Sequence, residues 1–202
     1  MEGILTTNGT LLNDRLNAQI LDMAWDEIHF SIDGHSAEIH DELRGQPGAF
    51  KKTVRNACKL SVLKRRRGVE HPRIAIHFVL TNRNHRYLTE MVDLGAAIGA
   101  FRIDFDALIA YTPEQLALQL NKHERDQVRD EASRALERAR ELGIATTLEN
   151  FLHPDRLERG ASTPKAPEGE GFQGAPCLKA WHYLVVQTDG NTSPCCVLAG
   201  QG

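Results

Sequence analysis

The sequence predicts an α/β protein built on a parallel β-sheet. Residues 1–150 alternate strand and helix patterns in the order βαβαβαβαβ, which is the pattern of parallel strands joined by helical crossovers. One strand, "RIAIHFVLTN", is apolar almost throughout, as expected of a strand that is buried on both faces. Right-handed crossovers leave an open doubly wound sheet or a barrel, and both place their chemistry at the carboxyl ends of the strands.

Each element of this pattern is visible in the sequence. The predicted strands are "GILTTNG", "EIHFSIDG", "RIAIHFVLTN", "FRIDFDALI" and "IATTLEN". The first helix begins after an N-cap at Asn13 or Asp14, and the second covers residues 49–66. The third is predicted to start from an N-cap at Asn84, and a long fourth helix covers residues 113–142.

Composition excludes several classes of protein. The chain has 202 residues, of which 41% are hydrophobic and 25% charged, as in an ordinary globular protein. A net charge of -3 argues against a protein that binds nucleic acid by neutralising phosphates. No apolar run reaches the ~20 residues of a membrane span, and "MEGILTTNGTLL" is unlike a signal peptide. We therefore expect a cytoplasmic protein that binds neither nucleic acid nor membranes.

The sequence after residue 150 differs in composition from the part before it. Residues 151–176 are rich in proline and glycine and predict a linker or a long surface loop. Cys177, Cys195 and Cys196 come after it, and "HYLVVQTDGNTSPCC" predicts a β-hairpin with a type I′ turn at "DG". Three interpretations of these thiols stay open: small buried hydrophobic residues, a zinc site, or an iron–sulfur cluster. Zinc is disfavoured because adjacent cysteines on a strand point to opposite sides.

Several stretches resemble the radical S-adenosylmethionine (SAM) superfamily with a SPASM domain. "TTNGTLL" resembles the third strand of the family's barrel and its turn, and "HFVLTNRN" resembles the fifth strand. "FSIDGHSAEIHDELRGQPGAF" resembles the fourth strand and the loop after it. Cys177, Gly190 and Cys195 are spaced as at the opening of a SPASM domain. These matches together span most of residues 4–196.

The resemblance implies a fold and an activity. The fold would be a partial TIM-like (β/α) barrel over residues 1–150, covering about strands 3 to 6 of the family's barrel and the segment after them. The linker at 151–176 would lead to the start of a small cysteine-rich SPASM hairpin unit at 177–202. An intact enzyme of this kind uses a reduced [4Fe–4S] cluster to split SAM into methionine and a 5′-deoxyadenosyl radical, which abstracts a hydrogen from a substrate. Substrates would be peptides, protein side chains or small molecules, with an electron donor such as flavodoxin or ferredoxin.

The same resemblance suggests the residues that bind SAM. Ser31 and Asp33 end the fourth family strand, where polar side chains contact SAM, although Asp33 also suits a plain "DG" turn. Arg44 is expected to pair with the carboxylate of SAM, and the alternative is a surface salt bridge with Asp41 or Glu42. Asn8 is a further candidate that would serve equally well to support the "NG" turn.

The resemblance also implies roles for the cysteines. Cys177 and Cys195 are the expected ligands of an auxiliary [4Fe–4S] cluster, and Cys196 is either a further ligand or a packing residue. Cys58 lies on the apolar face of the second helix and is expected in the core. The chain has no CxxxCxxC motif, which holds the SAM-cleaving cluster in this family, and it ends before the later SPASM cysteines. We therefore expect an internal fragment that is inactive alone.

Two other functions remain open at this point. The chain could be a non-catalytic α/β interaction domain with a small zinc-binding appendage. An ordinary barrel hydrolase or aldolase would need a clear base or a Schiff-base lysine at a strand end, and no lysine lies there. Iron or zinc in the purified protein would separate the first alternative from a radical enzyme.

Overall fold

The computed structural model describes residues 2–153 and 184–194. The chain divides into two compact units, Met1–Thr163 and Pro164–Gly202. The strands of the first unit are β1 (Ile4–Thr7), β2 (Glu27–Ser31), β3 (Arg73–Leu80), β4 (Arg102–Ala107) and β5 (Ala145–Thr146). The helices are α1 (Asp14–Asp22), α2 (Ala37–Arg44), α3 (Ala49–Arg67), α4 (Leu88–Ile98), α5 (Pro113–Leu116) and α6 (Lys122–Leu142). A 3₁₀ helix comes next, at Leu148–Leu152.

The five strands form one parallel sheet in the order β1-β2-β3-β4-β5. The predicted α/β class with a parallel sheet is therefore confirmed. A doubly wound sheet reverses its strand order at a switch point. This sheet has no reversal over its five described strands, so each crossover moves the chain one strand further in the same direction.

Sequential winding places the main helices in one layer on one face of the sheet. Helices α1 and α3, α3 and α4, and α4 and α6 pack against each other in turn. Beneath them lie Phe30, Phe78 and Phe105, each at most 1% exposed, with the last two rings 5.2 Å apart. Gly95 lets α4 approach the sheet, because a Cβ there would meet the Cδ1 of Ile103 at 2.6 Å. This layer holds the core of the first unit.

The other face of the sheet is polar. Ser31, His77 and Asp104 lie side by side on β2, β3 and β4, and all three are only partly buried. The expectation that β3 is buried on both faces is therefore wrong. Helices cover only one face, so the residues that alternate toward the other face are free to be polar.

Two predicted elements differ from the structure. The helix predicted over 113–142 is two helices, because Asn121 caps α6 in a capping box with Glu124. The strand predicted at "IATTLEN" shortens to Ala145–Thr146 and continues as the 3₁₀ helix. Asn13 does cap α1, as predicted.

The described part of the second unit is a small antiparallel hairpin of β6 (Val185–Val186) and β7 (Thr192–Ser193). The predicted type I′ turn is wrong. Gln187 N–H donates to the Asn191 carbonyl at 2.8 Å, which leaves a three-residue loop ending at Gly190 with φ 87°. Cys177, Cys195 and Cys196 lie outside the described residues. Within 2–153 and 184–194, no helix has the length and apolar content needed to cross a membrane.

Candidate functional site

Asp33, just beyond the carboxyl end of β2, is the centre of a buried polar network. Its Oδ1 accepts a hydrogen bond from Val79 N–H at 3.0 Å, and its Oδ2 lies 2.6 Å from Nη2 of Arg44. Its own N–H donates to Nδ1 of His40 at 3.1 Å. The residue is 7% exposed. Asp33 therefore ties β2, α2 and β3 together while holding one guanidinium at this edge of the sheet.

Arg44 is the last residue of α2, and its side chain is 33% exposed. The alternative that it pairs with Asp41 or Glu42 is wrong, since its partner is Asp33. Asp41 instead caps α3: its carboxylate accepts hydrogen bonds from Gly48 N–H at 2.6 Å and Phe50 N–H at 2.7 Å. The hydrogen bond from Phe50, followed by that from Gly48, holds the pKa of Asp41 below its usual value.

Asn84 closes the loops after β2 and β3. Its Oδ1 accepts from the N–H of Thr81 at 2.7 Å, and its Nδ2 donates to the carbonyls of Asp33 at 2.9 Å and Val79 at 2.8 Å. The predicted helix N-cap at Asn84 is wrong, because α4 begins at Leu88 after Tyr87. The amide is fully buried and joins the two strand ends instead.

Ser31 and Asn8 differ in how much of their hydrogen-bonding capacity is used. Ser31 is partly buried at the end of β2, and its Oγ has no hydrogen-bond partner among residues 2–153 and 184–194. The Oδ1 of Asn8 accepts from Thr10 N–H at 3.1 Å, which is the turn interpretation of this residue. Gly9 comes next with φ 69°, where a Cβ would meet the Phe30 ring at 2.9 Å. Asn8 therefore uses its side-chain oxygen within the turn, whereas the hydroxyl of Ser31 is available to a ligand.

His40 supports the network as a neutral side chain. Burial lowers the pKa of His40, and it outweighs the opposing effect of Asp33. A neutral imidazole has one nitrogen able to accept a hydrogen bond, which matches the bond from Asp33 N–H to Nδ1.

One pair on the polar face of the sheet was not predicted from the sequence. His77 Nε2 lies 2.7 Å from Oδ2 of Asp106, and the two side chains are 35% and 60% exposed. The hydrogen bond to Asp106 raises the pKa of His77, against a smaller opposing effect of burial. The signal was the polar residue at every second position of β4, next to a histidine on β3.

No cluster of three or more metal-ligating side chains occurs in the part of the chain that the structure describes.

Two curated relatives match part of the sequence. An "AdoMet-dependent heme synthase" of Oleidesulfovibrio alaskensis is 37% identical over 97 residues, which are 48% of this chain and 23% of the relative. A protein of the same name from Methanosarcina barkeri is 33% identical over 97 residues, covering 48% of this chain and 26% of the relative. The matched segment thus spans about a quarter of each relative's length. No protein-family model matches the chain.

Solved structures match nearly the whole chain in fold. SuiB of Streptococcus suis bound to S-adenosylmethionine superposes with a TM-score of 0.60 at 13% identity, covering 99% of this chain and 43% of SuiB. SuiB bound to the precursor peptide SuiA gives a TM-score of 0.56 at 14% identity, covering 99% and 44%. At this identity the match concerns the fold alone. Together with the sequence relatives, it confirms the resemblance to the radical SAM superfamily.

Proposed function

We propose that this chain is part of a SAM-dependent radical enzyme and that the carboxyl edge of β2 and β3 binds SAM. The observation that carries the proposal is the free hydroxyl of Ser31 beside the Asp33–Arg44 pair at that edge. In sequentially wound α/β folds, ligands bind at the carboxyl ends of the strands. A relative named as dependent on AdoMet, which is SAM, and a structural neighbour solved with S-adenosylmethionine support the same conclusion.

The residues at this edge fit the polar groups of SAM. The guanidinium of Arg44 has five N–H donors, and only Nη2 is engaged by Asp33, at 2.6 Å. The remaining donors can form a bidentate pair with the carboxylate of SAM, and Asp33 fixes their orientation. The Ser31 hydroxyl can hydrogen-bond a ribose or amino-acid oxygen. When bound and reductively cleaved, SAM supplies the group that abstracts hydrogen from a substrate.

The rest of the proposal concerns the intact enzyme. The first unit corresponds to a partial TIM-like barrel, and the second to the start of a SPASM domain whose Cys177, Cys195 and Cys196 would hold an auxiliary [4Fe–4S] cluster. Flavodoxin or ferredoxin is the expected electron donor, in the cytoplasm. The chain alone would bind SAM without cleaving it, because its sequence has no CxxxCxxC motif. A peptide is one candidate substrate, since SuiB was solved with a precursor peptide; a small molecule is the other.

SAM affinity tests the proposal directly. Isothermal titration calorimetry should detect SAM binding to the full chain, and Ser31→Ala and Arg44→Lys should each weaken it about tenfold by losing a hydrogen bond or the planar fork. Arg44→Lys keeps the charge beside Asp33, so the fold is preserved. Ser133→Ala is the matched control, because that exposed hydroxyl bonds only to the Arg129 carbonyl of its own helix. Absence of binding at millimolar SAM would refute the proposal.

Metal content tests the cysteine site and its main alternative. After anaerobic reconstitution with iron and sulfide, the chain should be brown and hold iron, and Cys177→Ala with Cys195→Ala should remove both. Zinc that co-purifies and resists exchange for iron would favour the non-catalytic interaction domain with a zinc-binding appendage.

A further inference from the structure

The helix-free face of the sheet carries a row of polar side chains that SAM binding does not account for. The parallel register places Ser31 beside His77, and His77 beside Asp104. Asp106 lies two residues after Asp104, on the same face, and its Oδ2 lies 2.7 Å from the Nε2 of His77. These four residues therefore form one surface next to the Asp33–Arg44 pair.

Exposure separates His77 from the histidines that hold the fold together. His40 is 1% exposed and His85 is 3% exposed, and both bond to backbone groups of nearby loops. The His77 side chain is 35% exposed, and its Nδ1 has no hydrogen-bond partner within the described ranges. A ligand on this face can thus reach the imidazole.

The surroundings of His77 are acidic. The hydrogen bond to Asp106 raises the pKa of His77, and burial opposes it less strongly. The charges of Asp106, Asp33 and Asp104 raise it further. Two of these acids are shared with cations, because Asp33 pairs with Arg44 and Asp104 pairs with Arg102 at 3.0 Å. Within the described part of the chain, the Asp106 carboxylate has His77 as its one side-chain partner.

We propose that His77 and Asp106 form an acid–base pair for the substrate, beside the SAM contacts and not among them. The substrate class is a molecule that presents a carbonyl or carboxylate oxygen to this face. The N–H bond of the imidazolium breaks, its proton moves to the substrate oxygen, and the neutral imidazole stays hydrogen-bonded to Asp106. SAM is a poor partner for this group, because its sulfonium is a cation and an imidazolium would repel it. The inference rests on the proposed function.

Acylation by diethyl pyrocarbonate tests the pair without knowledge of the substrate. A neutral imidazole nitrogen attacks one carbonyl of this probe and is acylated; the monoethyl carbonate that leaves takes up the ring proton and breaks down to ethanol and carbon dioxide. We would follow the rate at His77 by peptide mass spectrometry between pH 5.5 and 8.5 on the full chain, with and without SAM. The rate midpoint should lie above the ordinary 6.5 of histidine, and His77 should stay reactive with SAM bound.

Two variants make the test specific to the pair. Asp106→Asn should lower the midpoint and speed acylation at pH 7, by up to about threefold for each half pKa unit by which the midpoint falls. Asp106 is exposed, so the variant should fold. His123 serves as the internal control, because it is exposed at the start of α6 and its rate should not respond to Asp106→Asn. His77→Gln should keep a hydrogen bond to Asp106 and leave SAM affinity within about twofold of the unmodified chain.

Each outcome has one meaning. A His77 midpoint at or below 6.5, or one that Asp106→Asn does not move, would overturn the inference. So would a loss of SAM affinity in His77→Gln as large as in Ser31→Ala, since His77 would then be a SAM contact. If SAM does not bind at all while His77 titrates as expected, the acid–base pair is supported and the proposed function fails.

Discussion

The two ends of the β-sheet both carry buried carboxylates, but they use them differently. At the amino end, Glu27 is 2% exposed and contacts three cationic or basic groups: Arg73 at 2.5 Å, His29 at 2.8 Å and Arg102 at 3.1 Å. At the carboxyl end, Asp33 contacts one cation and one backbone N–H. The amino end satisfies its carboxylate completely, whereas at the carboxyl end donors of Arg44 have no partner among the residues that the structure describes.

The arginines that pair with Glu27 at the amino end also contact an aromatic ring. Arg73 and Arg102 both lie over the ring of Phe101, at 4.2 Å and 5.2 Å from its centroid. Burial alone would raise the pKa of Glu27, but the hydrogen bond from His29 and the charges of Arg102 and Arg73 outweigh it and lower the pKa. The contrast indicates that this fold places stability at the amino end and accessible chemistry at the carboxyl end, the same division as in (β/α)₈ barrels.

Removing the Glu27 ion pairs at the amino end of the sheet should cause the greatest loss of stability. Glu27→Gln removes the charge shared by two guanidinium groups and should lower the free energy of unfolding by about 3 kcal/mol, the lower limit for breaking a buried ion pair, since the arginines keep contact with water. Urea denaturation followed by circular dichroism measures it.

An exposed ion pair is the matched control for Glu27→Gln. Asp14 and Lys59 are 2.9 Å apart and largely exposed, and Asp14→Asn should cost no more than about 0.5 kcal/mol. If Glu27→Gln costs no more than Asp14→Asn, the amino end is not the stabilising end.

A smaller loss of stability is expected when the Asn84 amide, which joins the carboxyl ends of β2 and β3, is removed. Asn84→Ala leaves the buried carbonyl of Asp33 and the N–H of Thr81 without their partner, and should cost about 2 kcal/mol. Because this amide positions the loop that carries Asp33, SAM affinity should fall together with stability. Asn121→Ala, which removes the helix cap of α6, should lower stability with SAM affinity unchanged. Equal loss of affinity in both variants would contradict a local role for Asn84.

Much of this fold was predictable from residue periodicity. The strand patterns around Phe30, Phe78 and Phe105 determined the order of elements, and the cap at Asn13 marked the first helix, because both signals are local. The break before Asn121 was missed, although Asn121 followed three residues later by Glu124 is the sequence pattern of a capping box.

Single residues of the candidate site were predictable from the sequence, but the contacts between them were not. Asp33 and Arg44 were each expected near SAM, yet their mutual ion pair depends on α2, a short helix that the sequence pattern does not distinguish from a loop. The His77–Asp106 pair joins two strands 29 residues apart, so only the register of β3 on β4 brings it together. The apolar neighbours of His77 in "RIAIHFVL" hid a polar face that is visible only when the helices are seen to lie on one side of the sheet.

The smallest expected effect is the pH dependence of stability, which differs between the two ends of the sheet. The pKa of Glu27 is lowered, so its contribution to stability is present above about 4.5 and is lost as the pH falls through the folded value. The pKa of His40 is also lowered, mainly by burial, so its contribution is present above 6.5 and is lost on acidification below that value. His77 acts in the opposite sense, since its raised pKa gives stability at low pH that is lost as the pH rises through the folded value.

Stability should therefore decline in two steps on acidification. The first step lies below pH 6.5 and comes from the carboxyl end, and the second lies below 4.5 and comes from the amino end. Urea midpoints at pH 7.5, 5.5 and 4 measure these steps: His40→Gln should flatten the first and Glu27→Gln should flatten the second. His77→Gln should enlarge the drop between pH 7.5 and 5.5, because it removes the stability that His77 gains as the pH falls to 6.5. A single acid transition that none of these variants changes would mean that the two ends do not titrate independently.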